Sequence, residues 1–397
     1  MNFEISNRMS GLKPSIIREL LKQMADPALI SFAGGNPAQD SFPAEEICRF
    51  SDDLLRSEPV KTLQYSVSEG IPEVREAVKQ FANRLFPICK ESDSLVMMSG
   101  SQQILDLTAK CLCNEGAVVA AEEPAFLSAY LTFRSSGAEV KGVPMQPDGV
   151  DLEALERVLS ANPKPAFFYC IPNFQNPTGY TTSLEKRKAI YELTERYGVP
   201  VLEDDPYGEL RFSGEALPPI KALGAGEHVI YAGSFSKILC PGMRLAYCIA
   251  DQSFMRHMVT AKQCSDVHTN VWAQRVCEKI LTQTDMNRHL ARLRSIYGEK
   301  AKQMMDALDA KCPQITYVRP EGGMFLWGTL PQGISMPDFV QRCLEKKLAV
   351  VPGNAFYVDD SAPCNSFRMN FSAPNAEQIE RGVEIMAGVL AEMAPTV

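Results

Sequence analysis

The middle of the chain alternates short apolar runs with helical stripes, and this alternation restricts its possible folds more than any other feature. Residues 95–98 (LVMM) form an apolar run that ends at Ser99-Gly100-Ser101. Apolar side chains then recur at Ile104, Leu107, Cys111 and Leu112, the spacing of one helix face. The runs 117–121 and 166–171 (AFFYCI) follow; the second is apolar on both faces, as a strand covered on both sides would be. Thr182 with Glu185 fits a capping box. It predicts a helix with Ile190, Leu193 and Tyr197 on one face, closed by Gly198 at the left-handed position. Two further strands are expected at 199–202 and 228–232, ending in Glu203-Asp204-Asp205-Pro206 and Gly233-Ser234. This rhythm predicts an α/β fold with a mostly parallel, helix-covered sheet. From about residue 285 the rhythm changes to a long helical stretch and then shorter runs such as 323–327 and 348–351, which predicts a second, smaller α+β domain.

Composition narrows the function classes. A chain of 397 residues suggests two to three domains at about 150 residues each. The formal charge of −8 argues against a dedicated nucleic-acid binder, which usually carries a basic face, although it leaves room for a small basic pocket. No apolar run approaches the roughly 18 residues of a membrane span. The start, MNFEIS, has neither the basic flank nor the apolar stretch of a secretion signal. A soluble cytoplasmic protein is expected, with its 12 cysteines reduced. There is no Cys-x-x-Cys pair, and none of the 4 histidines forms His-Glu-x-x-His, so no metal site is expected.

Ligands of open α/β sheets bind beyond the carboxyl ends of the strands. The polar residues there are Ser99 to Gln102, Asn173 through Gly179, Asp204 through Tyr207, and Ser234-Phe235-Ser236-Lys237. Ser99-Gly100-Ser101-Gln102 suits either a phosphate at a helix N-terminus or an ordinary capping turn. No P-loop and no complete Gly-x-Gly-x-x-Gly occurs. Lys237, with Arg244 seven positions later, suits either a surface lysine or a desolvated, covalently reactive amine. Asp204 at a strand end needs a cation or several hydrogen bonds if buried, and a turn role if not. Ser234-x-x-Lys237 also matches penicillin-recognising serine enzymes, but their Ser-Asp-Asn and Lys-Thr-Gly partners are absent.

The ordered set of motifs resembles the fold-type I, pyridoxal-phosphate-dependent aminotransferases of class I/II, in particular the 2-aminoadipate (kynurenine/aminoadipate) branch. The likeness runs from Ile30-Ser31-Phe32-Ala33-Gly34-Gly35-Asn36-Pro37 through Gln64-Tyr65-Ser66, Ser99 to Gln103, Asn176-Pro177-Thr178-Gly179 and Glu203 to Tyr207. It continues through Ser234 to Lys237 and Pro241-Gly242-Met243-Arg244 to Phe367-Arg368-Met369-Asn370-Phe371. Asp204 follows Asn176 by 28 positions, and Lys237 follows Asp204 by 33. Each motif is weak alone; their order makes the set specific.

The resemblance implies a large, mostly parallel seven-stranded sheet domain over 51–285. It implies a smaller α+β domain over 286–397 that also takes in the segment 1–50. It implies pyridoxal 5'-phosphate as cofactor, tied to Lys237, with Asp204 on the pyridinium nitrogen. Asn176 and Tyr207 would hold the ring oxygen and Phe126 would stack on the ring. Ser101, Gln102, Ser234, Ser236 and Arg244 would bind the phosphate, joined by Tyr65 of a neighbouring subunit in a homodimer with shared sites. Arg368, with Asn176 and Gly35, would take the substrate carboxylate. Ser15 and Arg18, in a segment similar to a mobile helix of aminoadipate-type enzymes, would meet the substrate side chain. Phe126 stands where Tyr is frequent, Cys240 where Ala is, and Ala246 where Gly is. The implied activity is amino transfer from an L-amino acid to a 2-oxo acid, with 2-oxoglutarate and glutamate as one pair and a 2-aminoadipate, aromatic or aliphatic amino acid in the other. A β-lyase on the same scaffold and a non-catalytic regulatory domain are the alternatives. Intact Lys237 and Asp204 argue against the second, and no room for a fused DNA-binding segment is expected before Ile30.

Overall fold

The computed structural model describes residues 3–12, 26 and 28–393. In chain order its strands are β1 (Ile30–Ser31), β2 (Asp93–Met98), β3 (Val118–Glu123), β4 (Glu139–Gln146) and β5 (Gly149–Val150). These are followed by β6 (Phe167–Cys170), β7 (Val201–Asp205), β8 (Val229–Ser234) and β9 (Ala246–Asp251). The last four are β10 (Phe325–Thr329), β11 (Leu348–Ala349), β12 (Val351–Pro352) and β13 (Ser366–Asn370).

The largest sheet has the order β2-β9-β8-β7-β6-β3-β4-β5. Neighbours from β8 to β4 are parallel, while β9 runs against both β8 and β2. The mostly parallel sheet expected from the sequence is therefore present. It has eight strands rather than seven, because the two-residue β5 folds back on the exposed margin of β4. So short a hairpin leaves no periodic signal to read.

Two-sided burial explains why the central strands read as unbroken apolar runs. Val119, Ala121, Phe167, Tyr169 and Leu202 enter one hydrophobic core, whereas Ala120, Phe168, Cys170 and Val201 enter another on the opposite face. Only β4, near the margin, alternates exposed and buried positions. The chain moves from β3 outward to β4 and then returns to β6 on the other flank of β3. This reversal is a topological switch point, and the carboxyl ends of β2, β3, β6, β7 and β8 all open onto that edge.

The C-terminal part folds as an antiparallel sheet of order β10-β13-β12, beside the 26-residue helix Met286–Lys311 and the helix Ala376–Met393. The run 348–351 does not form one strand. Residues 348–349 pair in parallel with β1, while Val351–Pro352 pairs with β13. The N-terminal segment is thus stitched to the C-terminal part, and Phe32 O accepts from Asn370 N at 2.8 Å. Among the described residues no helix is long and apolar enough to cross a membrane.

The helix expected after Thr182 starts one residue later. Ser183 is its N-cap, accepting from Lys186 N at 3.3 Å. Thr182 is held by other bonds: its N–H donates to Pro172 O, and its carbonyl accepts from Arg187 Nε. Gly198 closes the helix in the left-handed region at φ 59°, as expected. A Cβ there would approach only Lys164 Nζ, at 3.6 Å, so the position needs glycine for its backbone and not for space. Gly198→Ala should lower unfolding stability by about 1 kcal/mol, measured as a reduced urea midpoint at unchanged slope.

Candidate active site

The polar strand ends converge on one cavity of about 700 Å³ at the carboxyl edge of the large sheet. Gly35, Ser101, Gln102, Phe126, Asn176, Asp204, Tyr207, Ser234, Ser236, Lys237, Arg244 and Arg368 all line it. Tyr65 does not: it is 83% exposed and borders a separate surface hollow, edge-on to His268 with ring centroids 5.7 Å apart. Ser15 and Arg18 lie outside the described residues, although Leu12, just before them, reaches the cavity.

One wall is built for an anion. Gly100 sits at φ 87° between β2 and the helix Ser101–Leu112, and a Cβ there would overlap the Arg244 guanidinium. Glycine therefore lets a cation lie against the start of a helix whose free N–H groups are themselves donors. Ser236 Oγ lies 3.5 Å from Arg244 Nη1, and Ser236 N donates to Ser234 Oγ at 3.2 Å. Gln102 is held in place by Thr132 Oγ1.

The floor carries the titratable groups. Lys237 Nζ donates to Gly35 O at 2.8 Å. Burial, aided by the Arg244 and Arg368 cations, pulls its ammonium down to about 8. Asp204 is buried at the end of β7, where Oδ2 accepts from Tyr169 Oη at 3.0 Å and Oδ1 has no partner among the described residues. Burial pushes this carboxyl up to about 7, against the pull of the Tyr169 hydrogen bond. The turn role open to Asp204 belongs to its neighbour: Asp205 Oδ1 accepts from Gly208 N at 3.0 Å.

Arg368 occupies the centre of the small sheet, opposite both Trp327 and Val351. It is 3% exposed. Nη1 donates to Asn176 Oδ1 at 2.8 Å and Nη2 to Ala33 O at 2.6 Å, while Nε has no partner among the described residues. Its guanidinium carbon lies 4.4 Å from the Phe325 ring centroid and 4.9 Å from that of Phe356. No carboxylate is paired with it among the described residues. Burial lowers it to about 10, so it remains charged at neutral pH. A buried guanidinium with two further cations, an unpaired buried carboxylate oxygen and a helix start around one cavity suit an anionic ligand that also carries a positive centre.

A family model described as aminotransferase class I and II matches residues 28–386. The chain belongs to the class I and II aminotransferases. The 2-aminoadipate transaminase of Thermus thermophilus is 39% identical over 96% of this chain and 94% of its own length. Aromatic-amino-acid aminotransferase 1 of Thermococcus litoralis is 35% identical over 98% and 94%. The structure of α-aminoadipate aminotransferase from Thermus thermophilus, complexed with N-(5'-phosphopyridoxyl)-L-leucine, superposes with a TM-score of 0.89 at 37% identity. It covers 99% of this chain and 98% of that one. The protein is an amino-acid aminotransferase with the fold-type I architecture.

Three residues that shape this aminotransferase's cavity have no role assigned by the sequence alone. Tyr169 supports Asp204 from inside the AFFYCI strand, and a tyrosine in an otherwise apolar buried strand is the available signal, since its hydroxyl needs a partner. Gln175 clamps the loop that carries Asn176: Nε2 donates to Pro124 O at 2.7 Å, and Oε1 accepts from Thr178 N at 3.0 Å and Thr178 Oγ1 at 2.8 Å. Phe325 lies under Arg368 and edge-on to Tyr207, and nothing in its local sequence distinguishes it from a core residue. The electrostatics can be tested directly. Carbamylation of Lys237 by cyanate in ligand-free protein should rise through pH of about 8, and Arg244→Gln should move that midpoint upward. An unchanged midpoint would show that the neighbouring cation does not act on the amine.

Proposed function

We propose that this aminotransferase carries pyridoxal 5'-phosphate on Lys237 and exchanges amino groups between an L-amino acid and a 2-oxo acid, with 2-oxoglutarate and glutamate as one pair. The observation that carries the reading is the unsatisfied Oδ1 of Asp204, a buried acceptor at the cavity with no donor among the described residues. A protonated ring nitrogen is the donor it lacks. When bound, the cofactor supplies an electron sink for negative charge developing at the substrate Cα.

The chain's own residues do the rest. Arg244, Ser101, Gln102, Ser234 and Ser236 hold the phosphate, with the helix start behind Gly100 adding backbone donors. Asn176 and Tyr207 fix the ring oxygen, and Phe126 covers the ring face. Arg368 takes the substrate carboxylate with its remaining N–H groups, and Gly35 forms the adjoining wall. Lys237 Nζ, released from its covalent tie, takes the Cα proton as general base and returns a proton as general acid. Its lowered affinity for protons suits both directions near neutral pH. Leu12, Phe126, Leu131 and Phe325 give the cavity apolar wall area, which suits aromatic, aliphatic or long acidic side chains presented by the donor.

The working unit is a homodimer with shared sites, located in the cytoplasm, and Tyr65 reaches the phosphate held by the neighbouring subunit. Its support is the surface around Tyr65, where Val60, Leu63 and Val67 are exposed together.

An amino-donor screen with 2-oxoglutarate as acceptor tests the reading. Purified protein should show the visible absorbance of a lysine-bound cofactor, lost in Lys237→Ala, and should form glutamate from at least one donor with ping-pong kinetics. Arg368→Met should lower kcat/KM by about a hundredfold, about 3 kcal/mol for two charge-assisted hydrogen bonds. Ammonia and pyruvate from a β-substituted donor, without glutamate, would assign the scaffold to β-elimination instead.

A further inference from the structure

Behind the proposed phosphate wall lies a second polar cluster that none of the roles above uses. Lys262, in the last turn of the helix Gln252–Gln263, has a side chain that is 0% exposed. Its ammonium donates to Gln103 Oε1 at 2.9 Å, to Thr269 Oγ1 at 2.9 Å, and to both oxygens of Asp266 at 2.9 and 3.0 Å. All three ammonium hydrogens are engaged.

The acceptors lead in two directions. Asp266 Oδ2 accepts from Ser99 Oγ at 2.6 Å, and Gln103 Oε1 accepts from Ser99 N at 2.9 Å. Thr269 Oγ1 donates to Met97 O at 3.1 Å. The end of β2 and the turn that follows are therefore held from behind by groups gathered on one ammonium. In the other direction, Thr269 O accepts from Gln274 Nε2 at 2.8 Å, and Gln274 Oε1 accepts from Ile71 N at 3.0 Å. The same loop carries His268, on which Tyr65 rests.

The loop is bent tightly to make these contacts. The Lys262 carbonyl accepts from the N–H groups of Ser265, Asp266 and Val267. Val267, a β-branched residue, is forced to φ 65°. Such a conformation persists only where surrounding contacts over-determine it. Nor does general stability account for a buried ion pair. Desolvation offsets most of its Coulombic gain, and an apolar replacement of similar volume is often as stable.

We propose that Lys262 is a positioning residue that fixes both phosphate contacts of the dimer: the turn Ser99-Gly100-Ser101-Gln102 of its own subunit, and the Tyr65 side chain offered to the neighbour. This rests on the cofactor reading above. Lys262 touches neither cofactor nor substrate and acts through Ser99, Gln103, Asp266 and Thr269. Its loss therefore weakens recognition of the phosphate and leaves recognition of the ring intact.

The test compares pyridoxal phosphate with pyridoxal, titrated into apoprotein and followed by absorbance. Lys262→Met should weaken pyridoxal phosphate by about tenfold while changing pyridoxal by less than about threefold, so that the preference for the phosphate ester falls. Ser99→Ala removes the hydroxyl bonds to Asp266 and Thr269 but leaves the Lys262 ammonium in place, and it should lower the same preference by about threefold, which keeps the test open if Lys262→Met does not fold. Lys221→Met is the control. Lys221 pairs with Asp93 at 2.7 Å, with both side chains no more than 1% exposed, but at the opposite end of β2. It should destabilise the protein and leave the preference unchanged. Parallel weakening of both ligands in Lys262→Met and Ser99→Ala, or the same change of preference in Lys221→Met, would overturn the proposal. Wild-type protein that binds the two ligands equally would overturn the cofactor reading itself.

Discussion

Arg368 is a guanidinium taken out of water with no carboxylate beside it among the described residues, and the cavity is organised around that fact. Three separate parts of the chain share the charge. Its own strand lies in the small sheet, Ala33 comes from the N-terminal segment, and Asn176 comes from a loop of the large sheet. The rings of Phe325 and Phe356 supply the remaining contact. One residue thus joins the pieces and keeps unused donor capacity. A buried charge without its counter-charge is costly. In the proposed role, a substrate carboxylate arriving there would remove part of that cost.

Asp204 is the counterpart with the opposite sign. The chain is acidic overall, yet Lys237, Arg244 and Arg368 face one cavity, and Asp204 lies at its floor with one oxygen unsatisfied. Net charge therefore describes the exterior, while the pocket holds its own local balance. Burial, aided by the Arg244 and Arg368 cations, lowers the Lys237 amine, and burial likewise raises the Asp204 carboxyl. Both shifts are the work of burial before any ligand arrives.

Much of this was legible in the sequence because burial on both faces of a sheet writes unbroken apolar runs, and ligand-binding residues follow them. Gly198 at the helix end and the polar groups after β2, β6, β7 and β8 were readable for that reason. Boundaries were less so. Thr182 and Ser183 are both good caps, and only the tertiary bonds on Thr182 decide between them. The split between Ala349 and Val351 depends on two partners far apart in sequence, Ile30–Ser31 and Ser366–Asn370. Tyr169, Gln175 and Phe325 act through contacts with residues distant in the chain, so their local patterns reveal only a core strand, a loop and another core strand.

The central claim is that the free oxygen of Asp204 keeps a ring nitrogen protonated. Nitrogen-15 NMR of the protein loaded with pyridoxal phosphate labelled at the ring nitrogen measures this directly. The account predicts a protonated nitrogen at pH values where the free cofactor's ring nitrogen has lost its proton, and loss of that protonation in Asp204→Ala. A deprotonated nitrogen in the wild-type protein, or the same protonation in both, would contradict it.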